Sequence, residues 1–251
     1  MRRAPPIVDE RIELNLIILE TDDFVEPGRA RLRGRRLQHI LEVQRAAPGD
    51  SLRVGLLDGR IGNGRVIAQS GDCMELSVAL DRPAPAPLPL TLVLALPRPK
   101  MLKRAIQHVT ALGVKRLYLI NAWRVEKSYW QTPWLEADRL REQCLLGLEQ
   151  AVDTAMPQIE LRKRFKPFVE DELPEIAAGS RKLVAHPVTE TSCPVDVDES
   201  TTLAVGPEGG FIPYEVEKLR EQGFAVVHLG PRILRVETAI PVLLGRLFPG
   251  R

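Results

Sequence analysis

Cysteine and histidine are scarce in this chain, and each shortage excludes something. The only cysteines among 251 residues are Cys73, Cys144 and Cys193, isolated and odd in number, which gives neither a disulfide framework nor zinc-ligand spacing. A reducing cytoplasm is the expectation. There are four histidines; His39 and His108 have no base-like partner in sequence, and no metal is expected. No hydrophobic run approaches the roughly 20 residues of a membrane helix, and Met1-Arg2-Arg3-Ala4-Pro5-Pro6 precedes no signal-like apolar core. The expectation is a soluble, unexported protein that makes no membrane contact. An excess of either charge is also missing: the net charge is +2, so a nucleic-acid surface has to come from local clusters of Arg and Lys.

What is present reads as two domains. In 1–82, a strand is predicted over Glu13–Leu19 and a short helix near Arg35–Arg45. Strands at Leu52–Leu56, Arg65–Ala68 and Met74–Leu80, punctuated by Asp58-Gly59, predict a small β-barrel. Residues 83–89, Pro-Ala-Pro-Ala-Pro-Leu-Pro, form a stiff extended linker. From 90 to 251 the rhythm becomes strand then helix, an α/β pattern. Its strands are Leu90–Leu96, Arg116–Ile120 and Lys182–Ala185. Its helices are Lys103–Leu112, stopped by Gly113, and Trp134–Val152.

The stretch Leu203–Leu247 organises this second half. The apolar run Leu203-Ala204-Val205 opens into Gly206-Pro207-Glu208-Gly209-Gly210, with a helix from about Pro213 to Gln222. A second run, Val226–Leu229, opens into Gly230-Pro231-Arg232-Ile233-Leu234-Arg235-Val236-Glu237 and a last apolar helix. Ligands of open α/β sheets bind at the carboxyl ends of strands, so two such loops mark one small-molecule site. Glu208 stands where a phosphate cradle would expose bare amides and a lysine, and neither nucleotide-binding glycine pattern is matched. An uncharged adenosine or a cationic group tolerates that carboxylate, and S-adenosylmethionine carries both.

Leu203–Phe211 followed by Leu229–Ala239 resembles the signature of the ribosomal RNA small subunit methyltransferase E family, of the SPOUT class. The resemblance implies an α/β fold with a C-terminal SPOUT-type parallel sheet, a trefoil knot and an N-terminal PUA-like RNA-binding barrel. It implies a homodimer that uses S-adenosylmethionine to methylate N3 of a uridine in the 16S rRNA of the small ribosomal subunit. It also implies that Gly206, Gly209, Gly210, Leu229, Gly230 and Leu234 wrap the cofactor, with Glu208 facing the ligand amine or bracing the loop. Of the family's central-helix motif, Glu149-Gln150 match while Ala151-Val152-Asp153 depart from Ser-Gly-Arg. Val236 stands where the family commonly has Thr. A methyltransferase acting on another RNA, and a non-catalytic RNA-binding homologue, are the alternatives.

Uridine N3 carries an imide proton and becomes a good nucleophile only when that proton leaves or the anion is stabilised. Arg232 and Arg235 are the candidates for stabilising charge on the uridine oxygens, and Glu237 for taking the proton or orienting Arg235. Alternatively, Glu237 and Thr238 cap the last helix and the two arginines only bind phosphate. Arg29, Arg31, Arg33, Arg35 and Arg36, with no acid among them, make an RNA-docking strip or a solvated face. Arg98 and Lys100, with Lys103 and Arg104, form a second strip at a helix start, where cations are unfavourable and an outside anion would help. Arg162, Lys163, Arg164 and Lys166 are read as a charged surface loop, His186 as a rim residue. Trp123, Trp130 and Trp134 are read as core or dimer residues before base-stacking ones.

Overall fold

Short strands dominate the first of two units, which the computed structural model, describing residues 15–250, divides between Pro83 and Ala84. The unit contains β1 (Ile17–Leu19), β2 (Phe24–Glu26), β3 (Arg29–Leu32), α1 (Gly34–His39), β4 (Ser51–Leu56), β5 (Ile61–Gln69) and β6 (Met74–Arg82). The predicted first strand is shorter than expected, starting at Ile17, and its residues 13 and 14 lie outside the described residues, as does the Met1–Pro6 segment. The sheet runs β1-β4-β5-β6-β3-β2, parallel only between β1 and β4. Its curl has a local cause at Gly62, where the register shifts and a Cβ would lie 1.8 Å from the Ala79 carbonyl oxygen; only glycine allows that approach. One face closes on Leu19, Leu32, Leu52, Val54, Met74 and Leu76, all buried. Strand β3 was not anticipated, although Arg29-Ala30-Arg31-Leu32 alternates, with Ala30 and Leu32 inward.

In the second unit, continuous apolar runs became central strands because helices cover both faces. These are β7 (Leu90–Ala95) and β11 (Thr201–Val205), buried at every position. With β8 (Arg116–Ile120), β9 (Gln158–Arg162), β10 (Arg181–Ala185) and β12 (Ala225–Val227) they form an all-parallel sheet, ordered β12-β10-β11-β7-β8-β9. Edge strand β9 corrects the reading of Arg162 as loop. It is half-buried on β8, and Arg162 bonds Glu160 and Glu172.

Helix α2 (Pro99–Ala111) starts with proline at N1 and is followed by Gly113 at φ +85°, a favourable start and stop. It packs on α3 (Ala137–Ala151) and α7 (Val236–Leu247). A Cβ on Gly147 of α3 would lie 2.7 Å from the Gln107 carbonyl of α2, so the two helices meet backbone to backbone. The helix predicted to start at Trp134 starts at Ala137, because Pro133–Leu135 is a separate turn in which Thr132 Oγ1 accepts from the Trp134 amide. Short turns α4 (Phe165–Pro167) and α5 (Leu173–Ile176) are joined by Phe168–Glu172, which packs with α6 (Pro213–Glu221).

The chain leaving β12 is bonded to the connection between β10 and β11. The His228 amide donates to Thr191 O, and the Cys193 amide to His228 O. At the far end of α7, the amides of Asp196 and Val197 donate to the carbonyls of Arg246 and Leu247.

Candidate active site

Three neighbouring strands, β12, β10 and β11, release their carboxyl ends side by side, and the loops they feed enclose a cavity of about 560 Å³. The β11 loop contributes Gly206, Glu208, Gly209 and Gly210; the β12 loop contributes Leu229, Gly230, Arg232 and Leu234. Sequence reasoning had named all eight. Gly206 is required by the tight return of its loop, since a Cβ there would lie 2.8 Å from the Phe211 amide nitrogen. Val205, Val227, Leu229, Leu234 and Leu243 make the walls largely apolar.

Glu208 is engaged within the chain. Its Oε1 accepts the Arg98 backbone N–H at 3.1 Å, with the Arg98 Nε 4.0 Å away. Arg98 caps the N-terminus of α2, where a carboxylate is favoured. A carboxylate from within the chain therefore stands at that helix start. Lys103 places its ammonium 4.1 Å from the Trp134 ring centroid, while Lys100 is exposed.

Two wall residues, and a third behind the wall, were missed. Arg124 lines the cavity and donates from its guanidinium to the Gly209 carbonyl. His228 lines it too, its Nδ1 accepting the Gly230 amide at 2.8 Å. Glu215, on α6, supports the wall from behind: only 3% exposed, it accepts the Trp123 amide on Oε1 at 2.7 Å and the Ile212 amide on Oε2 at 3.0 Å. Its position three residues after Ile212, with proline at N1, is a helix-start signal that could have found it. His186 is on the rim as expected, with Nε2 3.3 Å from the Phe211 carbonyl and Nδ1 accepting from Val188.

Arg235 is the N-cap of α7 and exposed; Glu237 is half-buried in its first turn. Neither lines the cavity, and no ion pair joins them among the described residues. The amides of Thr238 and Ala239 bond Arg235 O, and no side chain caps this helix, so the capping alternative for Glu237 and Thr238 does not hold.

The first basic strip meets acids that its local sequence lacks. Glu75, across the sheet on β6, accepts from Arg31 at 2.7 Å and Arg29 at 2.5 Å, and these two hydrogen bonds hold its carboxyl below the ordinary range. Arg36 forks onto Asp23 and also reaches Ile18 O. Arg33 is exposed with no partner among the described residues, and Arg35 is exposed. No group of metal-ligating side chains occurs among the described residues, and no helix there is long and apolar enough to cross a membrane.

Comparison with known proteins agrees with this geometry. The profile of a family described as RNA methyltransferase domain matches residues 84–247. A ribosomal RNA small subunit methyltransferase E of Treponema pallidum is 27% identical over 233 residues, covering 90% of this chain and 87% of that protein. One of Mycobacterium bovis is 43% identical over 74 residues, 28% of each. Among solved structures, a ribosomal RNA small subunit methyltransferase E of Neisseria gonorrhoeae bound to S-adenosylmethionine superposes with a TM-score of 0.69 at 20% identity, covering 92% of this chain and 95% of that one. A Legionella pneumophila structure with the same cofactor gives 0.72 at 21%, covering 93% and 96%. These likenesses establish the fold, a parallel α/β sheet preceded by a small curled, barrel-like sheet.

Proposed function

The chain belongs to the RNA methyltransferase family, and on that premise we propose that it transfers the methyl group of S-adenosylmethionine to N3 of a uridine in 16S rRNA. The observation that carries this reading is the cavity at the three strand ends, walled by two Gly-Pro loops with apolar side chains and bare backbone and with no lysine in its lining. Its volume lies within the roughly 300–1,000 Å³ of small-molecule sites. The apolar walls suit an adenine and ribose, the glycine-rich backbone suits their polar edges, and Glu208 braces the loop against Arg98. The cofactor, when bound, supplies an electrophilic methyl on a sulfonium.

Alignment of donor and acceptor is the protein's main task. Arg232, on the cavity wall, and Arg235, at the start of α7, stabilise negative charge on the uridine oxygens. Glu237 takes the N3 proton, and the lone pair so freed would accept the methyl as its bond to sulfur breaks, leaving the cofactor as a neutral thioether. Residues 1–82 serve as a PUA-like RNA-binding domain in which Arg29, Arg31, Arg33, Arg35 and Arg36 face phosphate; 83–89 are the linker; 90–251 are the methyltransferase domain, with Arg98 and Lys100 beside the RNA path. The enzyme works as a cytoplasmic homodimer on the small subunit. The bonds from His228 to Thr191 and Cys193, and from Asp196 and Val197 to the end of α7, support a trefoil knot in which the last segment passes through the β10–β11 connection.

A second acceptor RNA is favoured by one observation. Asp153, standing where the family motif has arginine, is buried and paired with Lys115 at 2.5 Å. The deciding experiment is nucleoside mass spectrometry of 16S rRNA from a deletion strain, before and after its small subunits are treated with purified protein and S-adenosylmethionine. Gain of 3-methyluridine is expected. No gain, with the cofactor shown to bind, would send the acceptor elsewhere.

A further inference from the structure

The three most exposed large apolar side chains among the described residues are Ile233, Trp123 and Val188, at 84%, 78% and 77%. All belong to the surroundings of one cavity. Val188 and Ile233 line it, and Trp123 is followed by Arg124, which also lines it. An indole left in water while its neighbours Ala122 and Val125 are buried is not held there by packing. Its backbone, by contrast, is pinned: the Trp123 amide bonds the buried Glu215 carboxylate, whose other oxygen holds Ile212, just before the cavity residue Pro213.

We infer that Trp123 is a stacking platform for an unpaired base of the RNA substrate at the mouth of the cavity. This rests on the methyltransferase reading and adds to it a specific RNA-contacting side chain. The exposed apolar residues are interspersed with the exposed guanidinium groups of Arg124 and Arg232. A protein partner would have to desolvate those charges. Single-stranded RNA meets them with phosphate and offers the indole a flat π-face, the usual pairing at sites that bind unstacked bases. A support fixed by a buried carboxylate loses little entropy when the base lands.

The test compares wild type, Trp123→Ala and Trp123→Phe on small subunits from the deletion strain, with cofactor affinity by calorimetry, melting temperature and mass by light scattering. For Trp123→Ala, the KM for RNA should rise by roughly 5- to 100-fold, the scale of losing one base–aromatic stack. Cofactor affinity, melting temperature and mass should stay at wild-type values, and Trp123→Phe should recover most of the loss. An unchanged KM for Trp123→Ala would overturn the inference, as would a fall in molecular mass, which would assign the indole to a subunit contact. Inactivity of the wild type on this RNA would instead count against the methyltransferase reading. The comparison would then be made on whichever RNA the wild type methylates, or by RNA binding alone if it methylates none, with the same outcomes deciding.

Discussion

Arg124 and Gly209 are fitted to one another across two loops: the guanidinium donates to the Gly209 carbonyl, and a Cβ on Gly209 would lie 2.8 Å from Arg124 Cδ. The glycine is what lets a long side chain from the β8 loop lie flat on the β11 loop. Gly209→Ala should therefore push Arg124 off its carbonyl and leave the core alone. The expected outcome is a cofactor affinity weakened about tenfold, roughly one charge-assisted hydrogen bond, with a melting temperature close to wild type. Calorimetry paired with thermal denaturation checks it.

Glu215 has the opposite signature. Removing its carboxylate in Glu215→Ala leaves the amides of Trp123 and Ile212 without acceptors, which should cost about 2 kcal/mol of stability. Urea denaturation should show that loss, and Glu215→Gln, with one acceptor oxygen retained, should recover part of it.

Arg235 lies outside the cavity lining while Arg232 lies within it, so the two should separate kinetically. Arg235→Ala is expected to lower kcat about 100-fold, the scale of a lost transition-state charge contact, with cofactor affinity unchanged. Equal loss of both in titration and single-turnover assays would remove Arg235 from the chemistry.

Helix α3 ends on Val152 at φ 55°, ψ 47°, left-handed backbone that a β-branched residue tolerates poorly. Val152→Gly should raise stability by about 0.5–1 kcal/mol, net of the entropy glycine adds to the unfolded chain. A lower denaturation midpoint would show that the valine's packing outweighs its strain.

Burial pushes the Cys193 thiol from 9.0 up to about 11, against the opposing charge of Arg246. Because the folded value is the raised one, stability is fully present below pH 9 and is lost as pH rises toward 11. The slope cannot exceed about 1.4 kcal/mol per pH unit for one group. Denaturation of wild type and Cys193→Ala at pH 8 and 10.5 should show the smaller alkaline loss in the variant. Burial raises Cys144 as well, so the decline should be reduced and not abolished.

Strands β7, β10, β11 and β12 were legible because each is a short apolar run closed by a Gly or Pro signal, and the loops after β11 and β12 carry their chemistry in consecutive residues. What escaped was long-range pairing. Glu75 is separated from Arg29 and Arg31 by more than forty residues, so a strip that looks purely cationic in sequence is partly neutralised in space. Glu208 was open between ligand and loop because its partner, the Arg98 amide, is a backbone group that no side-chain pattern announces. His228 and Arg124 reached the wall through strand order, which puts β12 beside β10 and sets β8, whose following loop carries Arg124, one strand beyond β7, the neighbour of β11. Edge strand β9 was hidden by its charges, since a half-buried strand with alternating exposed residues looks like loop when three cations follow it.

The bonds that tie the β10–β11 connection to the end of α7 also bear on how the protein is made. Ribosomes deliver chains from the amino end, and a nascent chain that has passed β11 already owns the Gly206–Gly210 loop. It does not yet own the opposite wall, which comes from Val227 to Leu243, nor the Arg246 and Leu247 carbonyls that fasten Asp196 and Val197. The full cavity wall therefore exists only once translation has moved beyond Leu243, and on the proposed reading a product terminated before that point would lack part of the cofactor site.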